Sequence, residues 1–180
     1  MTNTLGSFSR RALLGGLLAA PFVIRSAEAA SRARGLSMKH LHTDETISAT
    51  YWRNGKYDLG AWTELNQFLR DWRTDDVIHI DMRTLDMIHR VCDKIGAPKS
   101  AEIFCGYRSA KTNRMLRSKA SGVAKKSFHL VGQAIDFRLP NQSLRKTHRA
   151  ALSLKAGGVG LYSRSSFIHI DSGPVRDWGR

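Results

Sequence analysis

Two histidines and one aspartate are the residues whose types and spacing best suit chemistry in this chain. His129 and Asp136 are close together, and His169 follows near the end of the sequence. Imidazole nitrogens and carboxylate oxygens bind zinc, and a catalytic zinc has three protein ligands and a fourth position for water or substrate. These side chains therefore predict an open zinc site.

Strand alternation explains how the three residues could meet. If 132–139 is a strand, Asp136 lies on one face and its apolar neighbours on the other, because successive side chains alternate. If 166–171 is also a strand, His169 lies on one face and the flanking isoleucines on the other. Two such strands side by side would place Asp136 and His169 on one surface, and His129 would reach it from the preceding loop.

The segment from Ser127 to Asp136 resembles the Ser-x-His-x-x-Gly-x-Ala-x-Asp motif of the zinc D-alanyl-D-alanine peptidases and Hedgehog-type metallopeptidases, peptidase family M15 type. The matching residues are Ser127, His129, Gly132, Ala134 and Asp136, with His169 as the later ligand. The chain is also similar to YcbK-like exported bacterial proteins, which share Gly106–Ser109, Gly157–Gly160, Phe167–Asp171 and Val175–Trp178. The resemblance covers roughly residues 36–180. It implies Zn²⁺ as the cofactor and peptidoglycan peptides as the substrate.

The residue that moves the proton departs from the pattern of this group. The resembling peptidases carry a glutamate three positions before the last ligand or a histidine two positions before it. Here these positions hold Ser166 and Phe167, and neither can act as a base. Asp171 shares the predicted strand face of His169 and is the substitute catalytic candidate. It would accept a proton from metal-bound water, orient His169, or bind a substrate ammonium.

The substrate-binding candidates follow the predicted strand 101–105. Arg108 would bind a peptide carboxylate or stabilise the oxyanion that forms when water attacks a carbonyl, or it would only tie the loop together. In the resembling peptidases an arginine after this strand is implied to do the oxyanion work. Tyr107, beside Arg108, and Ser127, at the start of the ligand motif, are further substrate-binding candidates.

Residues 1–29 predict a twin-arginine signal peptide. Arg10 and Arg11 precede an apolar run, and 27–29 reads as a small-x-small cleavage site. The apolar run is shorter than the about 20 residues of a membrane span. We therefore expect a mature domain, 30–180, in the periplasm without stable membrane insertion, with an uncleaved anchor as the alternative.

The net charge of +14 at first suggests nucleic acid as a partner. Removal of 1–29 leaves 26 basic and 14 acidic residues, or +12. The basic residues are scattered, no nucleic-acid motif is present and the signal directs the chain to the envelope. We therefore expect no nucleic-acid partner, and anionic cell-wall polymer fits the charge better.

The remaining pattern predicts a single α+β domain, with a mainly antiparallel sheet, helices packed on one face and the site on the other. Helices are predicted from Asp58 to about Arg73, from Asp81 to Ile95 and over 143–156, and a hairpin-forming region over 36–52 with an Asn-Gly turn after it.

Two residue pairs stay open at this point. His40 and His42 would share a strand face as a metal pair, or form an exposed edge. Cys92 and Cys105 would form a disulfide in an oxidising compartment, or stay two buried thiols.

Two functions from different classes follow. The first is an exported zinc metallopeptidase, carboxypeptidase or endopeptidase, that hydrolyses peptide bonds in peptidoglycan stem peptides or cross-links. The alternative is a non-catalytic, zinc-containing cell-wall binding module, because a fold can keep its metal without hydrolysing anything.

Overall fold

The computed structural model describes residues 1–2 and 33–179. Residues 3–29 of the predicted signal peptide, with its cleavage site, therefore lie outside the described residues. Among the residues that the structure describes, no helix has the length and apolar character needed to cross a bilayer.

Eight strands and four α-helices make up the described fold. The strands are β1 (Arg34–His40), β2 (Thr46–Arg53), β3 (Lys56–Tyr57), β4 (Ser100–Cys105), β5 (Ala134–Arg138), β6 (Gly158–Tyr162), β7 (Phe167–Asp171) and β8 (Arg176–Trp178). The helices are α1 (Leu59–Phe68), α2 (Met82–Ile95), α3 (Ala110–Lys119) and α4 (Leu144–Ser153), with a 3₁₀ helix at Phe128–Val131.

All eight strands form one sheet in the order β3-β2-β1-β4-β5-β7-β6-β8. Five of the neighbouring pairs are antiparallel, and only β1–β4 and β6–β8 are parallel. The predicted hairpin is present, and the Asn54–Gly55 turn, with positive φ at both residues, joins β2 to β3. The α+β prediction is confirmed.

Helices α1, α2 and α4 pack against the sheet and bury its apolar face. The strands that carry the predicted ligands alternate as expected: Ile135, Phe137, Ile168 and Ile170 are fully buried in this core. Their polar neighbours therefore face the opposite side of the sheet. The predicted ligands Asp136 and His169 and the apolar core residues thus lie on opposite faces of the same strands.

The helix predicted from Asp58 to Arg73 is shorter in the structure. Asp58 caps α1 by accepting a hydrogen bond from the backbone N–H of Ala61, but the helix ends at Phe68. The chain beyond it turns around Asp71, whose buried carboxylate accepts hydrogen bonds from the N–H groups of Arg73 and Ser109. Such local bonds compete with helical ones and end the helix.

Candidate metal centre

Strands β5 and β7 bring the predicted ligands together. They pair in an antiparallel register that sets Asp136 directly opposite His169. His129 lies in the 3₁₀ helix before β5, and its neighbour Ser127 caps that helix by accepting a hydrogen bond from the His129 N–H. All three predicted ligands are buried.

One nitrogen of each imidazole and both carboxylate oxygens of Asp136 lie close together. Nε2 of His129 lies 3.2 Å from Nδ1 of His169 and 3.2 Å from Oδ2 of Asp136, and Nδ1 of His169 lies 2.8 Å from Oδ1 of Asp136. Ligands of one tetrahedral zinc, with bonds of about 2.0–2.1 Å, are separated by roughly 3.3 Å. The three donors are therefore spaced as ligands of one ion.

The outer nitrogen of each imidazole is held by an acceptor. Nδ1 of His129 lies 2.7 Å from the carbonyl oxygen of Gly106, and Nε2 of His169 lies 3.0 Å from Oδ2 of Asp171. An N–H on each outer nitrogen would satisfy these acceptors and would leave the two inner nitrogens, beside the Asp136 carboxylate, able to bind a cation.

The pKa values of His129 and Asp136 are shifted in opposite directions, because each side chain stabilises the charged form of the other. Burial alone lowers the pKa of the His129 imidazole, but the charge of Asp136 overrides it and raises the pKa to about 10. Burial raises the pKa of the Asp136 carboxyl, whereas the adjacent imidazoles hold it far below its ordinary value. Both shifts have one cause, because a positive charge between these two buried side chains is stabilised by the carboxylate.

The carbonyl that holds His129 is itself held by tight packing. A Cβ at Gly106 would lie 2.5 Å from the carbonyl oxygen of Leu69, so only glycine fits. The same Leu69 oxygen accepts a hydrogen bond from the backbone N–H of Tyr107 at 2.8 Å. The backbone after α1 thus determines where the Gly106 carbonyl, and through it His129, is placed.

Asp171 lies behind His169, on the side of the ring away from the convergence point. Its carboxylate is fully buried and accepts two hydrogen bonds from Arg176, at 3.0 and 2.6 Å, and others from the N–H groups of Gly158 and Gly173. Burial raises the pKa of this carboxyl, but His169 and Arg176 lower it below its ordinary value. The geometry favours the orienting role over the base role.

Arg108 lies beside the ligand cluster. Its Nη2 lies 3.8 Å from Oδ2 of Asp136, and its Nη1 makes a long contact of 3.4 Å with Oδ1 of Asn113. Its Nε is buried with no hydrogen-bond partner. A buried donor without a partner is unfavourable, and an incoming oxyanion or carboxylate would satisfy it.

An open cleft of about 650 Å³ lies over the cluster. Its lining includes Arg108, Lys126, Ser127, Phe128, His129, Asp136, Tyr162, Phe167, His169, Arg176 and Trp178. Ser127 is therefore placed at the cleft. Tyr107 is not part of that lining and packs, partly buried, against the hydrophobic core.

Sequence reasoning missed two residues at the centre. Arg176 was predicted only as part of a shared terminal segment, yet it forms the ion pair with Asp171 and lines the cleft. Cys105 was predicted only as a disulfide partner or a buried thiol, yet it joins His129 and Asp136 in a group of possible metal donors. Both cysteines are free.

His40 and His42 belong to no group of three or more potential metal donors within the described ranges. Nδ1 of His40 accepts a hydrogen bond from the backbone N–H of His42, and its Nε2 is buried without a partner. Burial is the main reason that the pKa of His40 falls to about 4.

A family model described as "Peptidoglycan L,D-endopeptidase MepK" matches residues 28–178, which contain the whole centre. The chain belongs to this M15-type peptidase family. The peptidoglycan L,D-endopeptidase MepK of Escherichia coli strain K12 is 43% identical over 147 residues, which are 82% of this chain and 81% of that protein. The probable peptidoglycan L,D-endopeptidase MepK of Haemophilus influenzae is 38% identical over 148 residues, 82% of this chain and 80% of that protein. None of the solved structures compared with the chain matches it.

Membership in the MepK family confirms the resemblance read from the motif Ser127–Asp136 and the later His169. The matched residues include every strand of the sheet.

Proposed function

We propose that this protein is a metal-dependent peptidoglycan L,D-endopeptidase, which cleaves a peptide bond between an L centre and a D centre in cell-wall cross-links. The family and the names of its relatives favour an endopeptidase over a carboxypeptidase. The observation that carries the proposal is the convergence of Nε2 of His129, Nδ1 of His169 and the Asp136 carboxylate on one point in an open cleft.

His129, Asp136 and His169 would hold the metal, and two nitrogens with one carboxylate suit zinc. When bound, such an ion polarises the scissile carbonyl and lowers the pKa of water at its open position. The residues of the chain then supply orientation: Gly106 and Asp171 fix the two imidazoles from behind. Such outer partners contribute about 10–100-fold to metal affinity or activity.

Arg108 would bind the charge that develops on the substrate. Its Nε has no partner, and its Nη2 is 3.8 Å from a ligand oxygen, so the guanidinium lies beside the reaction position. Donors placed at a developing oxyanion contribute about 10²–10³-fold to kcat. We assign Arg108 this role.

The charge of the cleft suits a substrate with carboxylates. Arg108, Lys126 and Arg176 line the cleft. Asp136 is the one acidic residue in its described lining, and it is a predicted metal ligand. Peptidoglycan stem peptides carry free carboxylates, and the basic wall would attract them. This supports peptidoglycan peptides as the substrate class.

We propose that Asp171 positions His169 and does not remove the proton itself. The contact at 3.0 Å between Nε2 of His169 and Oδ2 of Asp171 supports this, because the imidazole separates the carboxylate from the cleft. The base role predicted from the sequence is the alternative that a variant can test.

We also propose that the protein acts in the periplasm, as a mature domain of about 30–180 exported by the twin-arginine route. Arg10 and Arg11 carry this proposal. Their replacement by lysine should leave the protein in the cytoplasmic fraction, whereas export in the absence of the twin-arginine translocase would contradict it.

The decisive experiment incubates purified mature protein with zinc and two muropeptide dimers, one joined through an L–D bond and one through a D–D bond. We expect mass spectrometry to show monomers from the first dimer only. The Asp136→Asn variant and the metal-stripped protein are the matched controls. Cleavage of the D–D dimer alone would overturn the proposed specificity.

The non-catalytic binding module is the other outcome. Ser166 and Phe167 occupy the positions where the resembling peptidases carry their proton-moving residue, and this observation favours it. Binding to intact sacculi with zinc present and no soluble product from any dimer would support the binding module and contradict the peptidase.

A further inference from the structure

Asp71 is a buried carboxylate outside the metal centre. It lies in the turn after α1, is 1% exposed and does not line the cleft. Burial raises the pKa of its carboxyl, but hydrogen bonds from Thr112 and Ser109 lower it below its ordinary value. The side chain is therefore an anion at neutral pH. A buried anion is costly unless it is well hydrogen-bonded, so the groups that bond it show what it holds.

The backbone around Arg108 is held by hydrogen bonds from three consecutive N–H groups. These run from Tyr107 to the Leu69 carbonyl oxygen at 2.8 Å, from Arg108 to the His129 carbonyl oxygen at 3.1 Å, and from Ser109 to Oδ2 of Asp71 at 2.9 Å. The other oxygen of Asp71 accepts from the N–H of Arg73 at 3.1 Å. Asp71 therefore joins the turn after α1 to the segment that carries Arg108.

The same hydrogen bond fixes the start of α3. Ser109 is the N-cap of this helix, and a negative charge beside a helix N-terminus is stabilised by the helix dipole. One turn later, Oδ1 of Asn113 contacts Nη1 of Arg108 at 3.4 Å. Nδ2 of Asn113 donates to the carbonyl oxygen of Ala124, a residue of the cleft lining, at 3.2 Å. Asp71 is thus connected to Arg108 both through the backbone and through α3.

We propose that Asp71 is a positioning residue for catalysis, whose carboxylate holds Arg108 where its guanidinium meets the substrate. The inference rests on the proposed function, because it requires the role given to Arg108. Nε of Arg108 is buried without a partner, so the place of this donor depends on the backbone and on α3. A misplacement of about 1 Å at a reacting group can lower the rate about 100-fold.

The first test is Asp71→Asn, which keeps the size of the side chain. One carboxylate oxygen becomes an NH₂ group, which cannot accept the hydrogen bond from Ser109 or from Arg73. We expect kcat for the L–D dimer to fall about 10–100-fold, with one zinc still bound per chain and an unchanged circular dichroism spectrum. The matched control is Asp58→Asn, which should leave kcat unchanged, because Asp58 caps α1 and does not line the cleft.

A double-mutant cycle with Arg108→Lys separates positioning from a general loss of structure. If Asp71 acts through Arg108, Asp71→Asn should lower kcat by a smaller factor in the Arg108→Lys background, because the group that it positions is already lost. Equal factors in the two backgrounds, or a wild-type kcat in Asp71→Asn, would overturn the inference and leave the proposed function intact. No cleavage by the wild-type protein would contradict the proposed function and the inference with it.

Ser109→Pro tests the same hydrogen bond from the donor side and decides the question if Asp71→Asn does not fold. The φ of Ser109 is −62°, close to the value that proline fixes, and proline has no N–H for Asp71 to accept. The matched control is Ser109→Ala, which loses the capping hydroxyl and keeps the N–H. A kcat at least about 10-fold lower in Ser109→Pro than in Ser109→Ala supports the inference, and equal values overturn it.

Discussion

Two regions of this molecule each combine two histidines with an arginine: the centre, and the end of β1 around His40 and His42. They differ in the hydrogen-bond partners of their imidazoles and of their arginine. At the centre, each imidazole has an acceptor behind it, so the free nitrogens of His129 and His169 meet a carboxylate. At β1, Nδ1 of His40 accepts from a backbone N–H, and its Nε2 is buried without a partner. The two regions contain the same residue types, and the hydrogen-bond partners of the outer ring nitrogens distinguish them.

The arginines of the two regions, Arg70 and Arg108, also differ in how many of their N–H groups have hydrogen-bond partners. Near His40, Arg70 is saturated: it donates to Glu45 at 2.9 and 3.0 Å, to Asp75 at 3.0 Å and to a backbone carbonyl. At the centre, Arg108 keeps a buried Nε without a partner. One arginine holds a loop together, and the other has donors left for a ligand.

The carboxylate between the imidazoles gives the largest expected effect. Asp136→Asn should weaken zinc binding by about 10³-fold, since zinc binding free energies of about 10–16 kcal/mol are shared among a few ligands. Dimer cleavage should be lost with it. Competition with a chelator and metal content after dialysis measure the change. The comparison control is His40→Gln, which should retain one zinc per chain; a loss of zinc there would break the contrast between the regions.

The comparison of Arg108 with Arg70 gives the next largest expected effect, which is on kcat. Arg108→Lys should lower kcat about 10²–10³-fold with zinc content unchanged, because lysine cannot present the same fork of donors. Arg70→Lys should leave kcat unchanged and lower only the free energy of unfolding, because Arg70 donates to Glu45 and Asp75 and does not line the cleft. Steady-state kinetics and denaturant titration check both. Equal kcat values in the two variants would remove Arg108 from the chemistry.

The orienting carboxylate comes third. Asp171→Asn should weaken zinc binding about 10–100-fold, because Nε2 of His169 loses its charged acceptor. If Asp171 is instead the general base, the variant should keep the zinc affinity of the wild type and lose only kcat. Zinc titration beside kinetics on the same preparation therefore separates positioning from proton transfer. Circular dichroism confirms that the variant folds despite the lost ion pair with Arg176.

The β1 histidine gives the smallest effect, and it concerns stability. The pKa of His40 is about 4 in the fold, because of burial first and the charge of His42 next, against about 6.5 in the unfolded chain. Arg70 also lowers it and Glu45 raises it. Between these values the unfolded state binds more protons, so the free energy of unfolding falls as the pH falls.

From pH 6.5 to 5.5 the loss from His40 should be about 1 kcal/mol. His40→Gln should show a correspondingly flatter pH dependence in denaturant titrations, whatever its stability at neutral pH. An unchanged slope would mean that His40 binds protons equally in the folded and unfolded states, so that its pKa is not lowered in the fold.

The sequence predicted the part of the centre that depends on strand alternation. Asp136 and His169 had to share a face because their neighbours, Phe137 and Ile168, are apolar and the period of a strand is two. The helix ends marked by Asp81 and Gly96 followed equally local rules.

The residues that were missed depend on non-local geometry. Cys105 reaches the centre only through the irregularity in β4, which alternation cannot reveal. Arg176 reaches Asp171 because β8 returns parallel to β6, a pairing that no short motif encodes. Tyr107, a predicted substrate-binding residue, packs partly buried against the core and does not line the cleft.

The contact between Leu69 and Gly106 links two properties that are usually measured apart. The backbone after α1 presses on the glycine whose carbonyl holds the His129 ring. A change that loosens the core near Leu69 should therefore appear first as a faster zinc off-rate, before any loss of secondary structure. The rate of zinc release would then report a loosened core before unfolding does. Excess zinc in the buffer would hide this effect, because bound zinc stabilises the folded state, and a chelating buffer would reveal it.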